Sequence, residues 1–478
     1  MLYRLGVLVT ILGLLAAGVF FAPQPELNFS LGKSSQLYQV EAVDQSVVCP
    51  GSLIRSGGDS GTKLGVFDRT GSALLSGSTQ GSGGVAFESL DAKSVENLES
   101  TISRSLFEKS ISKPVELIAT NREGEQGSVA LNATQYQVAA LSSMRGFAAA
   151  NCQQPSNELM LIGGSTATGR EALLILANPS AIDAVADLRL FTDLGEITVA
   201  GLSGISIMAN SSVIIPLASF APSVAQLAVS VSSEGAKLAG WIQQRVVRGT
   251  SAYGVDLISP TDVFSKEQVI PGFLIRGSEE IAKAKKQEDF EDASHALRIY
   301  APEAAKLTIQ VLSDDLAVYG AVFTAEVEAG TVLDLPIEEL EDGNYSVFIT
   351  SDVNVYSGLR VARGNPAGTP RLDFAWLTPS EEIIGERVIS TSDNLVSFLT
   401  LANNSQESVA IKVRESGAET TVSLLPGATK TVEVSGTVLL STSGQIFAKL
   451  TVLLEGQISD LDITNPQNLG REVQVYFR

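Results

Sequence analysis

The sequence predicts a mainly β protein: tandem immunoglobulin-like or fibronectin-like β-sandwich modules, with one N-terminal transmembrane helix and a short helix in the first module. Three observations lead there. Small and β-branched residues dominate while aromatics make up only 6%, a profile of many short strands joined by small-residue turns. A cassette of strand-like runs recurs three times after residue 165. Residues 5–22, LGVLVTILGLLAAGVFFA, carry no ionisable side chain.

As a helix that apolar run is roughly 27 Å long at about 1.5 Å per residue, close to the hydrocarbon thickness of a bilayer. Arg4 and the amino terminus precede it, so the positive-inside tendency leaves the bulk of the chain outside the cytoplasm. A cleavable signal has an apolar core of about 7 to 15 residues and a small-residue cutting site. This run is longer and ends in Phe20, Phe21, Ala22 and Pro23, which suits cleavage poorly. Residues 1–25 are therefore expected to be a single-pass signal anchor in the cell membrane, with secretion after cleavage as the alternative. The polar residues 26–46 read as a stalk.

Residues 47–165 form a first module whose apolar runs, such as KPVELIAT at 113–120 and YQVAALS at 136–142, are separated by Gly- and Ser-rich stretches. Within it Val95, Leu98, Ile102 and Leu106 recur at three-or-four spacing, which predicts one amphipathic helix inserted among strands. Cys49 and Cys152 are the chain's 2 cysteines, and in an oxidising compartment this even count predicts one disulfide.

The cassette opens each time with an apolar run into an alanine and a turn: LLILANPS at 173–180, LRIYAPEA at 297–304 and SFLTLANNS at 397–405. A strand with period-two alternation follows, Leu307, Ile309 and Val311 in one copy and Val409, Ile411 and Val413 in the next, so one face is expected inside. The modules are placed at 166–262, 296–380 and 381–478, each of sandwich size, with a connector at 263–295. The charged run 276–296 is expected to be a solvated loop or interdomain connector, with a surface helix as the alternative.

The elements SVVCPG (47–52), GFAAANCQQPSNELMLIGGSTATGREALLILANPS (146–180), GVDLISP (254–260), LRIYAPEA and RLDFAWL (371–377) resemble an actinobacterial family of exported, membrane-anchored proteins, domain of unknown function family 5719. The resemblance covers most of the chain after the stalk and rests on structural motifs: the early CPG, the Ala-rich lead into the second cysteine, the Gly-Gly turn and the Asn-Pro turn. The chain departs from the pattern in the charged run before the second cassette and at Leu257, where an aromatic is expected. The resemblance implies an envelope protein of a Gram-positive actinobacterium and brings no catalytic residue with it.

The formal net charge of -20 repels phosphate backbones and argues against nucleic acid as a partner. The single histidine, His295, would have to serve any Ser-His or Cys-His site, and it reads instead as an exposed residue entering a strand. Ser110 and Lys113 match one motif of penicillin-interacting enzymes and Ser392, Asp393 and Asn394 another, but the two lie in different modules and the third, Lys-Thr-Gly, is absent. GGDSGTK at 57–63 reads as a Gly-rich turn. Asp460, Asp462 and Asn465 form a weak calcium candidate. Trp241 and Trp376 are core candidates that could alternatively stack on a sugar ring. No cofactor is expected. The expected function is that of a membrane-anchored extracellular envelope protein, a non-enzymatic scaffold or binding module with envelope proteins or cell-wall glycan as partners. The alternatives are a dedicated polysaccharide-binding protein and a hydrolase that works with carboxylates alone.

Overall fold

The alternating runs become strands with one face inside. In Ala305–Ser313, Leu307, Ile309 and Val311 are buried while Lys306 and Gln310 face solvent. Val409–Glu415 repeats the pattern with Val409, Ile411 and Val413. The computed structural model describes residues 35–40, 45–57, 66–80, 83–90, 95–99, 104–121, 129–464 (without 291, 316, 319, 367–371, 393 and 416) and 471–476. The expected anchor, residues 1–25, lies outside the described residues, among which no helix is long and apolar enough to cross a membrane.

Two compact units result. In the smaller, Ser35–Val40, expected in the stalk, pairs antiparallel with Arg471–Tyr476, expected in the last module. The larger unit, Ala42–Leu469, contains four copies of one topology rather than three cassettes after a distinct module. The copies share eight strand segments in two antiparallel sheets, ordered 1-6-3-4 and 5-2-7-8, to which the first copy adds the pair Ile54–Ser56 and Phe67–Arg69 and the second adds Ile205–Ile207 on its third strand. The first copy begins at Gln45–Cys49 and ends at Arg145–Asn151, and the second runs from Glu158–Ile162 to Ser251–Ile258. The third runs from Ser265–Ile275 to Leu372–Leu377, and the fourth from Ile383–Ser390 to Gln457–Asp462. In the last two copies segments six and seven are one long strand, Gly343–Gly364 and Thr437–Leu454, that passes from one sheet into the other.

The eighth strands of the four copies pack side by side in a closed ring, each against the next and the fourth against the first. Each also completes its neighbour's core. Phe374 and Trp376 of the third copy join the apolar cluster of the second, and Ile458 of the fourth joins that of the third. Phe147 and Ala149 of the first copy lie in the core of the fourth, and Val255 and Leu257 of the second pack with Val48, Leu53 and Ile54 of the first. The copies are therefore not a string of separate bodies.

Three sequence expectations are corrected. The amphipathic helix at Val95–Leu106 is instead two strands, Val95–Glu99 and Arg104–Ile111, the fourth and fifth segments of the first copy. Leu106, assigned to the helix's inner stripe, is exposed, so short-range spacing yielded to pairing with Gly83–Ser89 and Ala73–Gln80. The connector 263–295 carries the first strand of the third copy and a helix, Ser278–Ala284. Its charged run is not simply solvated, because Ile281, Ala284, Phe290 and Ala293 are buried against Ala362 and Leu372.

Candidate functional site

The four eighth strands that form the ring, the inner strands of the unit, end at one polar mouth. It is lined by residues from or just beyond the C-terminal ends of all four: Asn151 to Ser156 after the first, Ser259, Pro260 and Asp262 after the second, Glu381 after the third, and Asp462 and Thr464 at the fourth. The mouth encloses about 1470 Å³, counting its open side, and its lining is rich in amides and carboxylates with Lys237 as a cation. Burial, then the neighbouring Asp462 charge, pushes the Asp262 carboxyl above its ordinary value.

The disulfide expected from the cysteine count stands at this mouth. Cys49 ends the first strand of the first copy and Cys152 follows its eighth, 103 residues on, so the bridge ties the copy's two edges together. Gln153, next to it, closes the wall. With its amide oriented to satisfy both groups, the oxygen accepts from Trp241 Nε1 at 3.1 Å and the nitrogen donates to the Gly240 carbonyl at 3.1 Å.

Beneath the mouth, carboxylates bind the inner strands to one another through side chains. Asp256 accepts from the Trp376 backbone N–H at 2.7 Å and from the Ser459 hydroxyl at 2.9 Å, linking the second, third and fourth copies. Asp373 accepts from the N–H groups of Phe147 and Ile458, both at 3.2 Å. Gly146 (φ 144°) and Gly254 (φ 110°) make room for it, since a Cβ at either would lie 2.8 Å from Asp373 Oδ1. Burial pushes Asp256 up to about 7 and Asp373 well above the usual carboxylate range. Sequence reasoning missed both acids; the available signal was a lone aspartate inside an apolar run, GVDLI and LDFAW.

The sequence candidates distribute as follows. Asp460 and Asp462 hold the fully buried Lys449 ammonium, with Asp460 at 3.0 Å, and Thr378 donates to Asp462 at 2.8 Å. The cation among these carboxylates is thus a lysine of the neighbouring strand, and Asn465 lies outside the described residues. Trp241 is fully buried, Trp376 is 6% exposed, and the structure does not bring them together at the mouth. His295 is buried rather than exposed: its Nδ1 accepts from the Ala362 N–H at 3.2 Å, and burial, with Arg360 adding to it, lowers it to about 4. Ser110 is exposed on an outer strand of the first copy, Ser392 is buried beside Tyr136, and Asp393 lies outside the described residues. Of the Gly-rich turn only Gly57 is described.

A family model described as a family of unknown function, DUF5719, matches residues 108–437, more than half of the chain. The chain belongs to the DUF5719 family. No curated protein matches. A solved structure described as the tetra-tandem repeat in the extending region of a large adhesion protein aligns at 12% identity over 84% of this chain and 95% of that one, with a TM-score of 0.11, too low to bear on the fold. The matched span begins in the fifth strand of the first DUF5719 copy and ends in the fourth copy, so it includes three of the four inner strands and both Asp256 and Asp373.

Proposed function

We propose that this DUF5719 protein is a membrane-anchored extracellular envelope protein, a non-enzymatic binding module that presents the axial mouth to an envelope component. The observation that carries the proposal is that all four copies supply residues to one wide polar mouth. Amides and carboxylates are the groups that exchange hydrogen bonds with polyhydroxyl ligands, and an acid-rich rim disfavours polyanions. Neutral cell-wall polysaccharide is the ligand class that fits best. The anchor reading draws on the apolar run 5–22, and the Cys49–Cys152 bridge supports an oxidising compartment. Each copy serves in this proposal as an immunoglobulin-sized sandwich with apolar residues between its two sheets.

Calorimetry of residues 26–478 with neutral cell-wall oligosaccharides tests the reading. Saturable binding that Glu381→Gln with Gln154→Ala weakens at least fivefold supports it; equal binding by that variant sinks it. A second reading, hydrolysis by carboxylates alone, draws on Asp262, a raised acid beside Asp462. Release of shorter oligosaccharides from the bound glycan, lost in Asp262→Asn, would favour it over pure binding.

A further inference from the structure

The fourth copy buries a lysine completely. Lys449 lies on the long strand Thr437–Leu454, directly opposite Asp462, while Thr451 stands opposite Asp460. The lysine and both acids therefore share one face of the hairpin. The ammonium meets Asp460 Oδ2 at 3.0 Å, Asp462 Oδ1, and the Thr378 hydroxyl at 3.3 Å. The third copy covers the site: Thr451 donates to the Gly272 carbonyl at 2.9 Å, and a Cβ on Gly272 would lie 3.6 Å from Cβ and Cδ of Lys449. By contrast Lys283, Lys306 and Lys412 meet their acids in solvent, where both ions stay hydrated.

Two acids face one ammonium, so the trio is negative when fully ionised, and one carboxyl must give way. Asp460 is that one. Its side chain is 5% exposed, its Oδ1 has no hydrogen-bond partner among the described residues, and burial pushes it up to about 8 against the pull of Lys449. Asp462 is better supplied, since Thr378 donates to its Oδ2 at 2.8 Å and it reaches the mouth. At neutral pH the site therefore holds a carboxylic acid, a carboxylate and an ammonium in contact. A carboxylic acid is the form that an amine attacks, whereas a carboxylate repels nucleophiles.

We propose that Lys449 and Asp460 become joined by an amide, formed once within the folded protein, with Asp462 as proton carrier. A proton passes from Nζ to the Asp462 carboxylate, and the freed amine forms a bond to Cγ of the Asp460 carboxylic acid. Asp462 then hands its proton to the Asp460 hydroxyl, which leaves as water when the C–O bond breaks. A second Nζ proton returns to Asp462, so the products are the amide, one water and protonated Asp462. No oxidant or cofactor enters. Burial would lower Lys449, but Asp460 and then Asp462 hold it above its ordinary value, so the free amine is scarce and the step is slow. Contact enforced by the fold compensates for that scarcity, and the water leaves by the mouth that Asp462 lines. The bond fastens Gln457–Asp462, the strand that brings Ile458 to the third core and meets Arg145–Asn151 of the first copy at the seam of the ring.

Mass spectrometry of the full chain, digested with trypsin after denaturation and reduction, is the test. Cleavage after an unmodified Lys449 separates residues 431–449 from 450–471, and an amide on Nζ blocks it. The expected result is one peptide, 431–471, lighter by one water than its sequence requires, with fragment ions that join Lys449 to Asp460. Asp460→Ala should restore cleavage after Lys449 and full mass, Asp462→Ala should do so in most of the protein, and Lys449→Arg should restore full mass with cleavage after the arginine. Where a variant fails to fold, the wild-type digest decides alone. Residues 431–471 recovered at full mass, whole or cut after Lys449, overturn the proposal. So does a loss of water with cleavage after Lys449 intact, the mark of a succinimide, or a link from Lys449 to Asp462 in place of Asp460.

Discussion

The guanidinium of Arg298 lies 4.7 Å from the centre of the Trp376 ring, within the third copy, and its fork reaches across to carbonyls of the second. This fully buried cation joins two copies through three hydrogen bonds and holds Asp334 of its own copy as counter-ion with two more. Truncating it leaves a carboxylate and three carbonyls without their partner. Arg298→Ala is therefore expected to cost about 3–5 kcal/mol in urea unfolding. A loss below about 1 kcal/mol would mean that the pair is not buried as described.

Phe147 tests the ring. It belongs to the first copy by sequence and to the core of the fourth by packing. Phe147→Ala should destabilise by about 3–5 kcal/mol and shift one cooperative transition for the whole larger unit. Separate melting of the first copy would argue for independent bodies instead.

The bridge between Cys49 and Cys152 closes a loop of 103 residues that spans the first copy. Chain-entropy reasoning gives about 4–5 kcal/mol for such a closure. Cys49→Ser with Cys152→Ser should lose a comparable amount in urea unfolding extrapolated to water, with a steeper slope because the denatured chain without its cross-link exposes more surface. Thiol alkylation of the native protein should label neither cysteine.

Asp256 and His295 predict opposite pH dependences. The Asp256 carboxyl is raised by burial from 3.8 to about 7, so between those values the folded state holds a proton that the unfolded state releases. Its contribution to stability is full below 3.8 and is lost as pH rises through 7. Asp256→Asn should flatten that decline, seen as a smaller difference in Tm between pH 5 and pH 8. His295 is lowered by burial from 6.5 to about 4, so the unfolded state binds the extra proton and stability falls as pH drops through that window. His295→Gln should flatten the acid side. Unchanged pH profiles in both variants would mean that neither group titrates differently on folding.

Much of the strand pattern was legible. LLILANPS, LRIYAPEA and SFLTLANNS mark the second strand of three copies, and the residues of the alternating runs that were assigned inside are buried. The first copy escaped because its equivalent strand, ALLSGSTQ, turns polar at Ser76 instead of running apolar into an alanine. Its fourth and fifth strands mimic helical spacing, and pairing outweighs that local signal. The ring was illegible for a physical reason. Inner strands meet through side chains rather than a shared ladder, so FAAAN, GVDLI, LDFAWL and ISDLD need not look alike, and their buried acids read as surface residues. The mouth draws on loops of every copy and has no local motif. The packing of the charged run was hidden likewise, since its many charges concealed Phe290 and Ala293.

Ring closure bears on how the chain reaches this state. The Ala149 N–H donates to the Ser459 hydroxyl, 310 residues further along. Synthesis proceeds from the amino terminus, so the first inner strand exists long before the core that it fills. Until the fourth copy emerges, Phe147 and Ala149 have no apolar partner there and remain a sticky surface. The seam is also the longest-range set of contacts in the ring, and such contacts form late because a large loop must close first. A nascent chain truncated before residue 437 would hold three copies and an open seam, with every incentive to borrow the missing core from another molecule.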